Sequence, residues 1–505
     1  MKPASNHLSL MRTASYHSLC LRPQADNLKL DIQAIKAEVE RLQNKFEPVP
    51  HERLLDRLLE HVERIDFRQL ADLDDSSDKL AKKHYLVACV EQVLSIARRN
   101  SWGLCQHNGS VYLYNGAFWC AVDDSELQVF LGRAAEKMGV DKFDARHYSF
   151  QEQLYKQFLA AANLPKPKQR LGVVLVNLLN GTLEIRPEGH VLRAPRPQDF
   201  LTYQLPFAYD PKAEAPMFRN YLNQVQPDPD RQKILAEYIG SVFVPSGMLK
   251  LEKALLLYGS GANGKSVFFE VINSMLGTSN VSNFSLQSLT DSSGYYRAKI
   301  GDKLLNYASE ISGGRMQLDL FKQLVSGEPV EARLPYKDPF TITNYAKFIF
   351  NCNELPKDVE HNNAFFRRLL IVPFEVTVPE EGQDKELARK ITEQELSGVL
   401  NWVLAGLGRL MEQKGFTYSE AVERQLLQYK QGSDSVLLFL EDEGYKADMV
   451  SSMPFKALYS EYRVYCVESG YKSCSRKTFS ARLTAAGYQM ERKNYGQAVY
   501  IRKSS

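Results

Sequence analysis

The chain has 505 residues, of which 44% are hydrophobic and 24% are charged, and its net charge is +3. This composition is ordinary for a soluble globular protein of three or four domains. The small net charge does not by itself indicate nucleic acid as a partner. Seven scattered cysteines without a CxxC pair argue against a zinc module. No apolar run approaches the roughly 20 residues that span a bilayer, so we expect a cytoplasmic protein with no membrane partner.

The first part of the chain, residues 1–100, is predicted to be an arm followed by helices. The stretch DIQAIKAEVERLQNKF has apolar residues at helical spacing, at Ile32, Ile35, Val39, Leu42 and Phe46. This stripe fits a docked surface helix or a short coiled-coil seam. The acidic stretch ADLDDSSDKL reads as a loop that caps the next helix and not as a metal site. Partner docking is our hypothesis for this region.

The rest of the chain divides into four predicted parts. Short β-like runs with Asn-Gly and Pro-Glu-Gly turns predict an α+β domain over residues 101–235. Alternating apolar strands and helices predict an α/β core over residues 236–380. A helical extension follows over residues 381–432, and a last domain occupies residues 433–505.

The strongest motif is a glycine-rich loop between an apolar strand, ALLLY, and a helical pattern. It fits GxxxxGK[ST] at every fixed position, and it consists of Gly259, Ser260, Gly261, Ala262, Asn263, Gly264, Lys265 and Ser266. Such loops turn backbone N–H groups toward phosphates at a helix N-terminus. Lys265 would contact the β- and γ-phosphates of ATP, and Ser266 would bind Mg²⁺. The alternative is a glycine turn that only joins a strand to a helix.

Three further positions suggest what the nucleotide does. A second strand ends at Glu310, where a carboxylate could polarise the attacking water and help hold the metal. A third strand ends at Asn353, which could sense the γ-phosphate, although asparagine also simply begins turns. Arg367 and Arg368 precede a buried strand. They could form a solvated face or a salt bridge, or supply an arginine finger.

The order and compactness of these elements resemble those of superfamily 3 helicases, the ring-forming AAA+ ATPases of small viruses, phages and plasmids. The stretch SEISGGRMQLDLFKQLVSGEPVEARLPYK resembles the phage/plasmid primase-helicase group, which is related to the poxvirus helicase-primase ATPase. The matching positions are Glu310, Lys322, Ser326-Gly327-Glu328, Arg333, Tyr336 and Lys337. The resemblance covers roughly residues 100 to 505.

This resemblance implies an AAA+ P-loop core and a homo-oligomeric ring, most simply a hexamer. Arg368 is the first choice for the finger that acts on the neighbouring subunit, and Arg367 is the second. Lys322, Arg333, Tyr336 and Lys337 would contact single-stranded DNA, the last two from a hairpin in the pore, although an ordinary surface hairpin is the alternative.

Two departures from the family pattern bear on function. Ser309 stands where many members have a second acid, so Glu310 would act as the base alone. No metal-binding acid pair or zinc knuckle stands in the first 100 residues. We therefore expect no primase activity in this chain, although a separate primase could be a partner.

The last domain reads as helix, helix and hairpin, the pattern of a winged helix. Its final stretch, residues 471–505, is rich in lysine and arginine and contains one acid, Glu491. The predicted contacts with duplex DNA are Arg476, Lys477, Arg482 and Lys493. The alternative is a basic tail that only aids solubility.

The leading hypothesis is an ATP-dependent DNA helicase or replication initiator of a mobile element. One rival is a P-loop kinase for a small molecule, which the basic last domain and the hairpin disfavour. The other rival is an AAA+ protein that binds origin DNA or a replication partner and uses ATP as a switch.

Overall fold

The computed structural model describes residues 48–73, 79–107, 110–162, 172–308, 317–335, 338–356 and 363–503. Val49–Ser505 forms one compact unit. The apolar stripe predicted between Ile32 and Phe46 lies outside the described residues. Within the described part of the chain, no helix is long and apolar enough to cross a membrane.

The amino-terminal body consists of helices packed on a three-stranded antiparallel sheet. Its helices are α1 (His51–Glu60), α2 (Phe67–Leu70), α3 (Lys82–Arg99), α4 (Asp124–Met138), α5 (Lys142–Arg146) and α6 (Tyr148–Ala161). Its strands are β1 (Gly103–His107), β2 (Ser110–Tyr114) and β3 (Trp119–Val122), paired in that order. One core contains Leu54 of α1, Val90 of α3 and Leu113 of β2. The boundary predicted at residue 100 therefore falls inside one core, because α3 buries its apolar face beside the sheet that follows it.

The next elements are an antiparallel meander and two helices. They are β4 (Val174–Leu178), β5 (Gly181–Arg186), β6 (Gly189–Arg193), α7 (Pro216–Val225) and α8 (Pro229–Ser241). The two predicted hairpins in the meander are confirmed, because Leu178 pairs with Gly181 and Arg186 pairs with Gly189. Val176, Leu183 and Ile239 share a core with Leu255, so this segment packs on the region that follows.

The central region contains a parallel sheet and a separate hairpin. Its strands are β7 (Ala254–Tyr258), β8 (Val281–Ser282), β9 (Leu305–Ala308), β10 (Val330–Ala332), β11 (Phe340–Ile342), β12 (Lys347–Cys352) and β13 (Leu369–Pro373). Its helices are α9 (Lys265–Leu276), α10 (Leu286–Leu289), α11 (Tyr295–Ala298), α12 (Leu318–Val325) and α13 (Asn363–Phe366). The sheet order is β13-β7-β12-β9-β8, with every pair parallel.

This order determines which strand ends meet. Strand β12 lies between β7 and β9, although it follows both of them in the chain. In a parallel sheet all carboxyl ends lie at one edge, and ligands bind outside that edge. Residues that follow β7, β9 and β12 therefore come together.

Three helices follow the sheet, α14 (Leu387–Gln394), α15 (Leu396–Gln413) and α16 (Glu420–Gly432). Helix α15 packs against α8, and the contact is close, because a Cβ on Gly406 would collide with the backbone of Ala236. Glu395 anchors the neighbouring α7, since its carboxylate accepts hydrogen bonds from the N–H groups of Met217 and Phe218, each at 2.9 Å.

The last domain has a core of its own, which includes Val436, Tyr462, Phe479 and Val499. Its elements are α17 (Ser435–Asp442), β14 (Tyr445–Pro454), α18 (Phe455–Glu468), α19 (Arg476–Ala485), β15 (Met490–Lys493) and β16 (Gly496–Lys503). The predicted two helices and hairpin are present. Sequence reasoning missed β14, which pairs with β16 and bulges between Ala447 and Ser452.

Candidate functional site

The glycine-rich loop joins β7 to α9 and contains three residues with positive φ. These are Gly261 (φ +118°), Ala262 (φ +50°) and Gly264 (φ +83°). Positive φ costs little at glycine, and it is uncommon at alanine. Gly264 is the last residue before α9, so the loop ends at the positive end of a helix of three turns. The loop conformation suits an anion at that helix end.

Two glycines of the loop are also required by packing. A Cβ on Gly264 would lie 2.7 Å from Cγ1 of Val225 on α7, and a Cβ on Gly259 would collide with the side chain of Asn263 and the carbonyl of Phe374. Asn263 is buried, and its side-chain amide donates to that same carbonyl at 3.1 Å. The loop is thus fixed from both sides before any ligand binds.

Lys265 is the only charged residue of the loop, and it is folded inward. Its Nζ donates to the carbonyl of Gly259 at 2.5 Å and to Oδ1 of Asn263 at 3.0 Å. The side chain is only 6% exposed. Burial lowers the pKa of Lys265, and the field of the Cys352 thiol opposes that shift. The cation is therefore held inside the loop, where a phosphate could replace these two acceptors.

Sequence reasoning missed the support beneath the loop. The hydroxyl of Tyr221 on α7 donates to the carbonyl of Gly264 at 2.7 Å, and burial raises the pKa of Tyr221. Gln226 donates at 2.8 Å to the carbonyl of Pro373, the last residue of β13. Tyr221 lies at core spacing with its neighbours on α7, so the sequence gives no signal of its polar contact.

Asn353 lies beside the glycine-rich loop. The N–H of Gly259 donates to the carbonyl of Cys352 at 3.0 Å, so the residue after Cys352 is next to the first loop glycine. Asn353 is exposed, whereas Asn351 is buried and accepts from the hydroxyl of Tyr307 at 3.1 Å. Of the two asparagines, Asn353 is therefore the one that a ligand can reach.

Glu310 lies outside the described residues, so its predicted role remains a prediction. The preceding strand is described, and Ala308 at its end pairs with Phe350 of β12. Because β12 also borders β7, the chain leaves β9 at the same sheet edge as the loop.

Arg367 and Arg368 lie at the opposite sheet edge, because they precede β13, whose first residue pairs with Ala254. Arg368 is buried and donates to Oγ of Ser326 at 2.9 and 3.1 Å and to the carbonyl of Ala364 at 2.7 Å. The side chain of Arg367 is 61% exposed and lies 3.6 Å from the Glu252 carboxylate. Arg368 is thus occupied by internal contacts and Arg367 is accessible, while the finger role of either arginine remains a prediction.

The predicted hairpin is present, since Val330 pairs with Ile342 in antiparallel register. Tyr336 and Lys337 lie outside the described residues. Arg333 is exposed at the end of β10. Lys322 is largely buried and pairs with Asp319 one helical turn away, at 3.2 Å, and its DNA contact remains a prediction.

The four predicted cations of the last domain differ in accessibility. Arg476 and Lys477 are exposed at the start of α19. Arg482 pairs with the buried Asp434 at 3.1 Å, and Lys493 donates to Oγ of Ser452 at 2.9 Å over the ring of Tyr500. Arg482 and Lys493 thus have internal partners, and the DNA contacts predicted for all four cations remain predictions.

A metal ion would have few protein ligands here. Among the described residues, no group of three or more His, Cys, Asp and Glu side chains could hold an ion. Ser266 is exposed at the second position of α9, which suits a hydroxyl ligand beside a bound phosphate. The donor set fits Mg²⁺ held mainly by phosphate oxygens and water.

Two family models match the chain. The model described as "D5 N terminal like" matches residues 79–227. A family of unknown function, DUF5906, matches residues 257–368, which contain the loop and the arginine pair.

Two viral proteins are similar to parts of the chain. "Putative helicase L207/L206" of Acanthamoeba polyphaga mimivirus is 27% identical over 213 residues, which cover 40% of this chain and 22% of that protein. "Putative helicase 121R" of Invertebrate iridescent virus 3 is 23% identical over 340 residues, which cover 59% of this chain and 35% of that protein. The chain thus spans about a fifth to a third of the length of these relatives.

A solved structure, "The A form apo structure of NrS-1 C terminal region-CTR", aligns with 82% of this chain and 99% of its own. Its identity is 12% and its TM-score is 0.44, so this likeness adds no support of its own. The DUF5906 match contains the glycine-rich loop, and the "D5 N terminal like" match lies before it. These matches support the resemblance of the chain to the phage and viral primase-helicase family.

Proposed function

We propose that this protein is an ATP-dependent DNA helicase that acts as a ring during the replication of a phage, plasmid or satellite element. The observation that carries the proposal is the shared sheet edge. The loop after β7 and Asn353 after β12 lie together there, and the chain leads from β9 toward Glu310 at the same edge. The glycine-rich loop and the strand that precedes Glu310 thus belong to one sheet, which supports ATP hydrolysis rather than nucleotide storage.

Each residue of this edge has a distinct role in the proposal. Lys265 leaves its internal acceptors and binds the β- and γ-phosphates, while the loop N–H groups bind the remaining oxygens. Glu310 orients and deprotonates the attacking water, and Asn353 contacts the γ-phosphate. Ser266 would hold Mg²⁺, which neutralises phosphate charge when bound.

The arginine pair supports a site shared between two subunits. The length of strand β13, about 16 Å at roughly 3.3 Å per residue, separates the arginine pair from the sheet edge that carries the glycine-rich loop. Neither arginine can therefore act on the nucleotide of its own subunit without a large movement. We propose that Arg367 reaches the γ-phosphate of the neighbouring subunit in a hexameric ring. Arg368 remains the alternative if its contacts with Ser326 and Ala364 break on assembly.

Two elements would contact DNA. The β10–β11 hairpin would face single-stranded DNA in the pore, with Tyr336 and Lys337 beyond Arg333. The last domain has the order helix, strand, helix, helix, strand, strand with β14 paired to β16, which supports a winged helix. Arg476 and Lys477 are its best-placed contacts with duplex phosphates, because both are exposed.

The names of the viral relatives favour the same class of activity. Both are called helicases, although the matched regions are only 22% and 35% of their lengths. The parallel sheet with β12 inserted between β7 and β9 also supports an AAA+ core, as the resemblance implies.

The test is strand displacement on a forked duplex with a fluorescent strand. We expect displacement with ATP and Mg²⁺ and none with a non-hydrolysable analogue. The Lys265→Ala variant should fail under both conditions. If the wild-type protein hydrolyses ATP and binds DNA but displaces no strand on any fork, the switch function replaces the helicase function.

A further inference from the structure

A hydrogen bond connects the amino-terminal body to the parallel-sheet region. The hydroxyl of Tyr112 on β2 donates to Oδ2 of Asp302 at 2.7 Å. Tyr112 is 7% exposed, and its ring packs edge-on against Phe200 with centroids 5.2 Å apart. The contact joins positions 190 residues apart, so it is a tertiary link between two bodies and not a local turn.

Asp302 lies in a turn that touches three functional elements. It is three residues before β9, the strand that leads toward Glu310. Its N–H donates to the carbonyl of Asn344 at 3.4 Å, and Gly301 forms a β-bridge with Tyr345. These two partners lie between the β10–β11 hairpin and β12, the strand that ends beside Asn353. A movement of this turn would therefore shift the hairpin and the catalytic edge together.

The backbone of the turn includes a residue in the left-handed region. Asp302 has φ +57°, a left-handed conformation that is uncommon for residues other than glycine. Strain of this kind persists where surrounding contacts hold it. The hydroxyl of Tyr112 supplies such a contact from outside the sheet region.

We infer that Tyr112 is a positioning residue through which the amino-terminal body couples DNA contact at the hairpin to ATP hydrolysis at the sheet edge. The inference rests on the proposed function for its consequence, although the contact itself can be tested without it. Tyr112 holds Asp302, and Asp302 holds the junction of β9, the hairpin and β12. When DNA displaces the hairpin, a junction held by the Tyr112–Asp302 hydrogen bond transmits the displacement to the carboxyl ends of β9 and β12. Without that hydrogen bond, the junction moves and the displacement does not reach the strand ends.

The test compares Tyr112→Phe with Tyr114→Phe. Tyr114 is on the same strand and is also buried, but its hydroxyl donates locally to the carbonyl of Gly116 at 3.0 Å. We expect Tyr112→Phe to lower DNA-stimulated kcat by about tenfold, since one hydrogen bond to a charged group is lost. The KM for ATP should stay within twofold, and Tyr114→Phe should match the wild type. Asp302→Asn should retain most of the stimulation, because its amide oxygen still accepts the bond.

Hydrogen exchange separates this inference from the helicase proposal. In Tyr112→Phe, the amides of β9 and β11 should exchange faster, whereas those of β1–β3 should be unchanged. Absent hydrolysis in the wild type would contradict the proposed function, and faster exchange in β9 would still support the positioning role. Unchanged exchange, or unchanged DNA stimulation in an active Tyr112→Phe protein, would overturn the inference.

Discussion

Removing the loop lysine should weaken nucleotide binding without unfolding the protein. In the ligand-free loop, Lys265 donates to the carbonyl of Gly259 and to Oδ1 of Asn263 and is almost fully buried. Lys265→Ala removes both bonds, and it also removes a cation whose burial lowers its pKa. The loss of the two hydrogen bonds lowers the free energy of unfolding, whereas the removal of a buried cation raises it. We expect a net change within about 1 kcal/mol, the size of a typical net hydrogen bond.

The effect on binding should be larger, because a phosphate is a charged acceptor, whereas the two acceptors that Lys265 gives up are neutral. A charge-assisted hydrogen bond to phosphate contributes about 1.5–3 kcal/mol. At about 1.4 kcal/mol per factor of ten, Lys265→Ala should weaken ATP binding by roughly 10- to 100-fold. A matched control is Lys250→Ala, since Lys250 precedes the same strand but is 85% exposed and pairs with Glu252 at 3.3 Å.

The pH dependence of stability gives an independent readout. The folded-state pKa of Lys265 lies below its ordinary value of 10.5. Between these two values the unfolded chain binds more protons, so the Lys265 contribution to stability rises with pH there. This rise should disappear in Lys265→Ala.

We would measure ATP affinity by titration of a fluorescent ATP analogue and stability by thermal melts. A pH series of denaturant unfolding would measure the pH dependence of stability. ATP affinity within twofold of the wild type would refute the phosphate contact. A large loss of stability at neutral pH would show that the lysine is structural.

Three further predictions concern the remaining residues. Glu310→Gln should bind ATP with wild-type affinity but hydrolyse it at least 100-fold more slowly, as measured by phosphate release. Arg367→Ala should stop turnover with an unchanged melting temperature, whereas Arg368→Ala should lower that temperature because three hydrogen bonds are lost. Mixing Arg367→Ala with Lys265→Ala subunits should restore some turnover through hybrid interfaces. Lys477→Ala should reduce the salt slope of duplex binding by about one unit, and Arg482→Ala should leave it unchanged.

The sequence alone was sufficient to predict the elements that are marked by a pattern of neighbouring residues. The strand before the loop, the helix after it and the hairpin at Val330–Ile342 follow from apolar runs and glycine positions. Strand β14 was missed because most of its residues are exposed and a bulge interrupts it, so neither alternation nor an apolar run marks it.

Sequence could not rank the cations, because their partners are distant in the chain. Arg368 is internal owing to Ser326, 42 residues away, and Arg482 is internal owing to Asp434, 48 residues away. Adjacent arginines cannot be distinguished in the sequence. In the structure, Arg368 faces the core, whereas Arg367 faces solvent. Burial therefore moved the proposed finger from Arg368 to Arg367.

The same reasoning explains why the amino-terminal body belongs in any account of catalysis. Its sequence contains no catalytic motif, and the domain boundary predicted at residue 100 separates it from the predicted ATPase core. Yet Tyr112 contacts the turn before β9, and the core of the meander continues into the sheet. A rigid connection of this kind lets one body restrain the strand ends of another, because packed interiors transmit displacement rather than absorb it. Conservative variants at this junction should therefore separate coupling from chemistry, which variants of the loop itself cannot do.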